Sequence, residues 1–587
     1  MIDELFEYGV YLALLVALAI PLSAYLNKVM AGQKTVLSRV LVPVENAVYR
    51  CIRVDKSEDM GWKRYLVSAF AFSAICLVGL FAILMLQGLL PFNPEGLPGL
   101  SWDLAFNTAV SFVTNTNWQA YSGESALSYF SQAIGLTVQN FVTPAVGLGV
   151  LFALFRGIVS EGNPGLGNFW VDVTRAVLFV LIPLSLVVTM IDVQQGSPQN
   201  FNEYETVQLL EPVGVTADGS IVDADDPAAV ETIDQATVPM GPQASQVAIK
   251  QLGTNGGGYF GVNSAHPLEN PNAFTNILEC WSILIIPMAM VFALGFYLKR
   301  RKLAWSIFGV MLFAYVVGIA VSVDQEMGGS KQIAAMEIRQ DMGSMEGKEI
   351  RIGSAASAMW GMTTTVTSNG SVNSMHDSQT PLSGMLQMLN MQINCWFGGV
   401  GVGFMNYYAF IIIAVFISGL MVGRTPEFLG KKIEAREMKI ATMVVLMHPL
   451  IILVGTALAS HLAAQNPELA GAWLNNPSFH GFSEMLYEYT SCAANNGSGF
   501  EGLSDNTPFW NITCGIVLIL GRYFPIVGQV AIAGLLASKK YIPESAGTLK
   551  TDTATFALMT FAVIVIVAAL AFFPAQALGP IADYLSK

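Results

Sequence analysis

Four short stretches hold the residues best suited to chemistry. They read Thr114-Asn115-Thr116-Asn117-Trp118-Gln119, Thr254-Asn255-Gly256-Gly257-Gly258-Tyr259-Phe260-Gly261, Thr367-Ser368-Asn369-Gly370-Ser371-Val372-Asn373 and Ala494-Asn495-Asn496-Gly497-Ser498-Gly499-Phe500. All are rich in Asn, Gly, Ser and Thr and carry almost no charge. Glycine tolerates backbone angles that let consecutive carbonyls point the same way. A ring of such carbonyls can replace the water around an alkali cation. Phosphate is a poor fit, because no Lys follows the glycines and GxxxxGK[ST] is absent. Each stretch follows a short, moderately apolar segment, such as 102–113 or 355–366, and precedes a further apolar run. A half-helix entering such a turn aims its partly negative C-terminal end at it, which also favours a cation. One Asn-Gly alone reads as an ordinary turn; four in the same context point to a cation pore.

Other polar residues carry less. Arg522 lies ten residues into the apolar run that begins at Ile512, so it must face a cavity or an acidic group. Asp377, beside His376, either helps draw cations inward or anchors the chain locally by a cap or hydrogen bond. Gly398-Gly399-Val400-Gly401-Val402-Gly403 is either close helix packing or a helix break beneath the third turn. Tyr259 and Phe260 are expected to pack behind their turn, and the Met-rich 385–391 stretch to fill core. The five His residues are scattered, with no metal-ligand spacing. The six Cys form no CxxC pair and read as small core residues.

These turns need a membrane around them. Charged residues make up 12% of the 587 and apolar residues 53%, with a mean hydropathy of +0.52. Soluble enzymes and secreted scaffolds are poor fits, and the absence of a long basic patch argues against nucleic acid. Ten apolar runs lie roughly at 8–26, 65–86, 131–155, 176–193, 276–298, 304–323, 406–422, 440–462, 512–538 and 555–573. At 1.5 Å per residue each can cross a hydrocarbon layer of ~30 Å. Continuous runs of this length exclude a β-barrel. Arg522 and Pro525 suggest that the ninth run is tilted or broken. The N-terminal run carries Asp3, Glu4 and Glu7 and no basic flank, so it reads as a retained span.

Basic residues set the expected orientation. Alternate loops hold 22 of the 29 Lys and Arg, notably in 28–64, 299–303, 424–439 and 539–550. These loops should be cytoplasmic and both termini external. The stretch 201–249 has nine acids and no Lys or Arg, and reads as an exposed external excursion. The expected fold is an all-α polytopic membrane protein with four span–pore-loop–span repeats. Repeats at 65–175, 176–303, 304–439 and 440–540 are flanked by 1–64 and 541–587.

The residues also resemble a known family. Asn117-Trp118-Gln119, Thr254–Gly261, Asn373-Ser374-Met375-His376-Asp377-Ser378, Gly423-Arg424-Thr425-Pro426-Glu427-Phe428-Leu429-Gly430-Lys431-Lys432 and Asn495-Asn496-Gly497-Ser498 are similar to the KdpA family, the potassium-binding subunits of the bacterial Kdp potassium-transporting ATPase. The resemblance runs along essentially the whole chain. It implies that Gln119, Gly256, Gly370 and Gly497 are the central filter positions. Asn115, Thr116, Asn117, Thr254, Asn255, Gly257, Ser368, Asn369, Asn495 and Asn496 would complete the ring around K+. Arg522 would lie beneath it and limit leakage. The resemblance further implies a bacterial inner-membrane location with periplasmic termini. The partners implied are the P-type subunit KdpB, which would use the ATP, single-span KdpC and small KdpF, within membrane lipid. The chain has neither Asp-Lys-Thr-Gly-Thr nor a Walker A motif, so it is expected to be non-hydrolytic and to need no organic cofactor. An autonomous or gradient-coupled potassium channel or symporter is the alternative.

Overall fold

The computed structural model describes residues 2–217, 220–421, 423, 425–543 and 550–586. Asp218 of the acidic stretch, Val422 at the expected end of the seventh span, and Arg424 lie outside them. Among the described residues ten helices are long and apolar enough to span a membrane. They are Glu7–Met30, Trp62–Leu89, Ser131–Val159, Phe169–Gln195, Ala273–Tyr297, Arg301–Met327, Val402–Met421, Ala435–Gln465, Pro508–Ala537 and Ala554–Ser586. All ten overlap the apolar runs read from the sequence.

Four shorter helices lie between spans. Trp102–Val113, Gln243–Leu252, Ser354–Val366 and Phe479–Ala494 each end on one of the four polar turns. Spans two to nine therefore form four units of span, pore helix, turn and span, with the first and tenth spans outside the repeats. The third and fifth spans are central, each with 83% of its apolar window buried, against 22% for the first and second. Exposed Leu14, Val67 and Leu570 belong to outer spans, where lipid tails rather than protein cover them.

The ninth span, expected to be tilted or broken, is one helix over Pro508–Ala537, continuous through Arg522 and Pro525, so it is not broken. A proline removes a single helix hydrogen bond, and neighbouring helices support the turn around it in a membrane bundle. The irregular turns fall elsewhere, as π-helical segments at Ser131–Leu136, Ala176–Leu181 and Ala577–Ile581. The sequence left the Gly398–Gly403 run undecided. The helix Pro381–Ile393 stops before it and the seventh span starts at Val402, so the run is a break.

The membrane part is all-α. The acidic stretch within 201–249 adds an antiparallel sheet, β1 (Glu205–Thr216), β2 (Ile221–Asp223) and β3 (Ala229–Val238), with β1 in the centre. Its alternation of β-branched residues with polar ones suits a pleated, solvated ribbon. Val213 pairs with Ile233 and Glu205 with Val238, across an irregularity between Gln208 and Val213.

Charge ties three spans together near one end of the bundle. Arg156 of the third span forms a forked ion pair with Asp172 of the fourth. Tyr65 of the second span donates to the same carboxylate at 2.8 Å. Removing one partner strands the other in a poorly solvated place. Asp172→Ala is expected to destabilise the protein by about 3 kcal/mol, read as a lowered unfolding temperature in detergent. Asp172→Asn, which keeps an acceptor for Tyr65, should cost less.

Candidate functional site

The four turns share one backbone plan. Left-handed residues alternate with right-handed or extended ones at Asn115 (φ 67°) and Asn117 (57°), Thr254 (49°) and Gly256 (89°), and Asn495 (52°) and Gly497 (105°). The third turn has Gly370 at 85°. Alternation of hand rotates successive peptide planes so that their carbonyls face one side. The amides of Asn117 and Gly256 reach back six residues, to the Ser111 and Lys250 carbonyls at 3.2 and 3.3 Å. Gly497 likewise bonds six residues back, to Ser491 Oγ at 3.0 Å. Gly370 stands six after Thr364, whose hydroxyl bonds Asn369 Oδ1 at 3.3 Å. The structural counterparts are therefore Asn117, Gly256, Gly370 and Gly497.

These positions close a ring. A Cβ on Gly256 would run into the Asn369 carbonyl, one on Gly370 into that of Asn496, and one on Gly497 into that of Thr116. A Cβ on Gly257 would come within 2.6 Å of the Asn117 carbonyl. Each turn thus packs its backbone against the next, in the order second, third, fourth, first, second. Amide side chains bolt the turns together. Asn115 donates to the Gly253 and Thr254 carbonyls at 3.2 and 3.0 Å. Asn369 donates to Lys250 O at 3.2 Å. Asn496 donates to the Thr364 and Thr367 carbonyls at 2.7 and 3.1 Å. Asn495 bonds Thr116 Oγ1, and Ser368 bonds Ala494 O, both at 3.1 Å. Asn255 is fully buried, with its amide 2.7 Å from that of Asn115. The side chains brace, and the turns meet backbone to backbone.

Both ends of the ring are distinct. One opens into a cavity of about 260 Å³ lined by Asn117, Gln119, Gly370 and Gly497, together with Glu501 and Asp505. The other rests on the break in the third repeat. There Val400 N donates to Thr254 Oγ1 at 3.0 Å, and Gly401 packs on Gly147. Arg522 reaches this side: its Nη2 lies 3.4 Å from where a Cβ on Gly147 would stand. One turn earlier on the same helix, the Leu518 carbonyl accepts from Asn495 of the fourth turn at 3.1 Å. Arg522 is 3% exposed, and among the described residues no acid pairs with it and Nη2 has no hydrogen-bond partner.

A model of the family described as potassium-transporting ATPase A subunit, KdpA, matches residues 9–585. The chain belongs to the KdpA family. Potassium-transporting ATPase potassium-binding subunits are similar along their full length. That of Phocaeicola vulgatus is 58% identical over 98% of both chains. That of Bacteroides thetaiotaomicron is 56% identical over 100% of both. That of Clostridium botulinum (strain Eklund 17B / Type B) is 52% identical over 100% of this chain and 99% of its own. Among solved structures, the potassium transporter TrkH from Vibrio parahaemolyticus is 11% identical, with a TM-score of 0.49, covering 88% of this chain and 95% of that one.

In this KdpA chain the site residues fall into three groups. Asn115, Thr116, Asn117, Thr254, Asn255, Gly256, Gly257, Ser368, Asn369, Gly370, Asn495, Asn496 and Gly497 come together at the ring. Arg522 stands on the far side. Gln119 is displaced: it is two residues past the position matched by the three glycines, which Asn117 fills, and it bonds Tyr121 at the cavity rim at 3.4 Å. Asp377 is an anchor, bonded to His480 and Asn476 at 2.9 and 3.1 Å and lining a different cavity. Tyr259 and Phe260 are buried behind the second turn, and Phe260 stacks on His266 at 3.6 Å.

Glu501 and Asp505 escaped the sequence reading, because Phe500–Asp505 looks like any solvated loop. Desolvation pushes the Asp505 carboxyl up to about 6, against the lowering effect of the Trp118 indole bonded to it at 2.9 Å. Glu501 touches water, yet desolvation in the concave mouth and the charges of Asp377 and Asp505 push it up to about 8. Both groups are neutral in acid and gain charge as pH rises through those values. Potassium half-saturation should therefore fall about threefold between roughly pH 5 and pH 9, by concentrating cations at the mouth. The double variant Asp505→Asn, Glu501→Gln should flatten that dependence.

Substitutions separate the ring from its rim. Gly370→Ala adds left-handed strain of roughly 1–2 kcal/mol and a clash with Asn496, so potassium affinity should drop about tenfold or more. Gln119→Ala, outside the ring, should change affinity far less. Equal losses in competitive ion-binding measurements would contradict this register.

Proposed function

We propose that the chain binds K+ and passes it across the bacterial inner membrane as the non-hydrolytic subunit of an ATP-driven importer. The observation that carries this reading is the four-turn ring, in which each turn's backbone packs on the next and amide side chains brace the frame. Four pore helices aim their C-terminal ends at it, giving a partly negative site without a fixed charge. Carbonyl oxygens replace the hydration shell of a dehydrated K+. Glu501 and Asp505 gather cations at the mouth. On the inner side Arg522 opposes a cation that would run straight through, and so supports gated release over free leakage.

ATP is hydrolysed by a partner, because this chain carries no phosphorylation or nucleotide motif. The partners that fit are KdpB for hydrolysis, KdpC and KdpF. A channel or symporter working alone would need none of them, so co-purification of ATPase activity with the tagged chain separates the two readings. The alternation of basic loops supports periplasmic termini, with 28–64, 299–303 and 424–439 cytoplasmic.

Arg522→Gln tests the coupling. In the assembled complex it should raise passive K+ or Rb+ flux, or let ATP hydrolysis run with less transport. Normal flux and normal coupling in a well-assembled variant would reduce Arg522 to a packing residue.

A further inference from the structure

A second polar cluster lies apart from the ring, on its outer side. His480 and Glu484 are four residues apart in the first turns of the fourth pore helix and share one face. Asp377 arrives from the segment after the third turn, and Asp583 from the C-terminal helix Ala582–Ser586. His480 Nδ1 lies 3.0 Å from Asp583 Oδ2, and its Nε2 lies 2.9 Å from Asp377 Oδ1. The Asn476 side-chain amide donates to Asp377 Oδ2 and to Glu484 Oε1, both at 3.1 Å. One amide therefore holds one oxygen of each carboxylate from behind. The remaining Glu484 oxygen, Oε2, has no hydrogen-bond partner among the described residues, although Glu484 is fully buried.

Within the triad itself two carboxylates, Asp377 and Glu484, face one imidazole. If Nδ1–H is given to Asp583, the Nε2 lone pair faces an Asp377 lone pair at hydrogen-bond distance. That contact needs a cation, either a proton or a metal ion. One ligand atom from each of Asp377, His480 and Glu484 can be chosen so that all three lie within 4.8 Å of one another. A carboxylate behind a ligating histidine fixes its tautomer and orientation, the role open to Asp583. A cavity of about 400 Å³, lined by Asp377, Asn476, His480 and Asp583, can supply water as a fourth ligand. Lys331 lines this cavity too, but its ammonium lies over the Tyr584 ring at 3.9 Å.

We propose that Asp377, His480 and Glu484 bind a divalent transition-metal ion of the zinc class at the outer rim. One nitrogen, two carboxylates and a water suit the tetrahedral preference of Zn²⁺. The ion would fasten the third turn's flank to the fourth pore helix and, through Asp583, to the C-terminal helix. It is separate from the K+ ring and can fail without disturbing that assignment.

The test uses the assembled complex, stripped with a chelator and titrated with Zn²⁺ or, for its visible spectrum, Co²⁺. Wild type should bind one equivalent more than Glu484→Gln, a variant that keeps size and the Asn476 bond. The cobalt form should show d–d bands that Glu484→Gln and His480→Gln lack. Asp583→Asn should weaken binding roughly tenfold, and Glu346→Gln, on the same cavity but outside the ligand set, should leave it intact. If wild type and Glu484→Gln bind the same number of equivalents with the same spectrum, the proposal is overturned and a protonated His480 bridges the carboxylates instead.

Discussion

A backbone carbonyl at membrane depth must find a partner inside the protein or face water or an ion, because lipid offers none. On the function proposed above, a ring of carbonyls is left facing a hole, and the rest of the structure supports that ring. An unsupported ring would collapse onto nearby donors. Here the donors are already committed: Asn115, Asn369, Asn495 and Asn496 direct their amides sideways, into neighbouring turns and pore helices. The abundance of asparagine is thus a framing device. Glycine is needed where two backbones approach too closely for a Cβ, as at Gly256 against the Asn369 carbonyl.

The frame is reinforced from behind by charge. Lys250 is fully buried in the second pore helix, and its ammonium pairs with Glu269. Its own carbonyl accepts from the Asn255 and Gly256 amides and from the Asn369 side chain. One residue therefore anchors the second turn and reaches the third. Gln251, next in sequence, donates to Glu279 at 2.9 Å and to Ser371 of the third turn at 3.0 Å. Buried charge is costly unless paired and bonded. Paired as it is here, it resists displacement of the turns. Arg522 is the contrast: a buried cation without an acidic partner among the described residues, on the side opposite the acidic mouth. The two ends of the ring differ in sign: acidic groups line one, and a guanidinium stands at the other.

Much of this architecture was legible in the chain itself. Apolar runs of membrane-spanning length are a local property, and all ten appear as helices. The half-helix read at 102–113 is the helix Trp102–Val113, because an apolar segment ending in Thr-Asn-Thr-Asn has nowhere to continue. The four turns were recognisable because Asn and Gly announce unusual backbone angles. The three-stranded sheet was not recognised, since an acidic, Gly- and Pro-containing stretch resembles a solvated loop until β1 finds its partners.

Tertiary structure decided what depends on partners far away in sequence. Asn115 and Thr254, or Asn495 and Thr116, meet only when the repeats close on each other. Register across repeats placed Asn117, not Gln119, beside the glycines, because it follows from hydrogen bonds counted back along each pore helix. Asp377 became an anchor because His480 and Asn476 fold back onto it. The sequence by itself determined which segments cross the membrane and where they turn, through hydrophobicity and backbone preference. Which residues face one another, and which backbones meet, was set only by packing four similar but unequal units together.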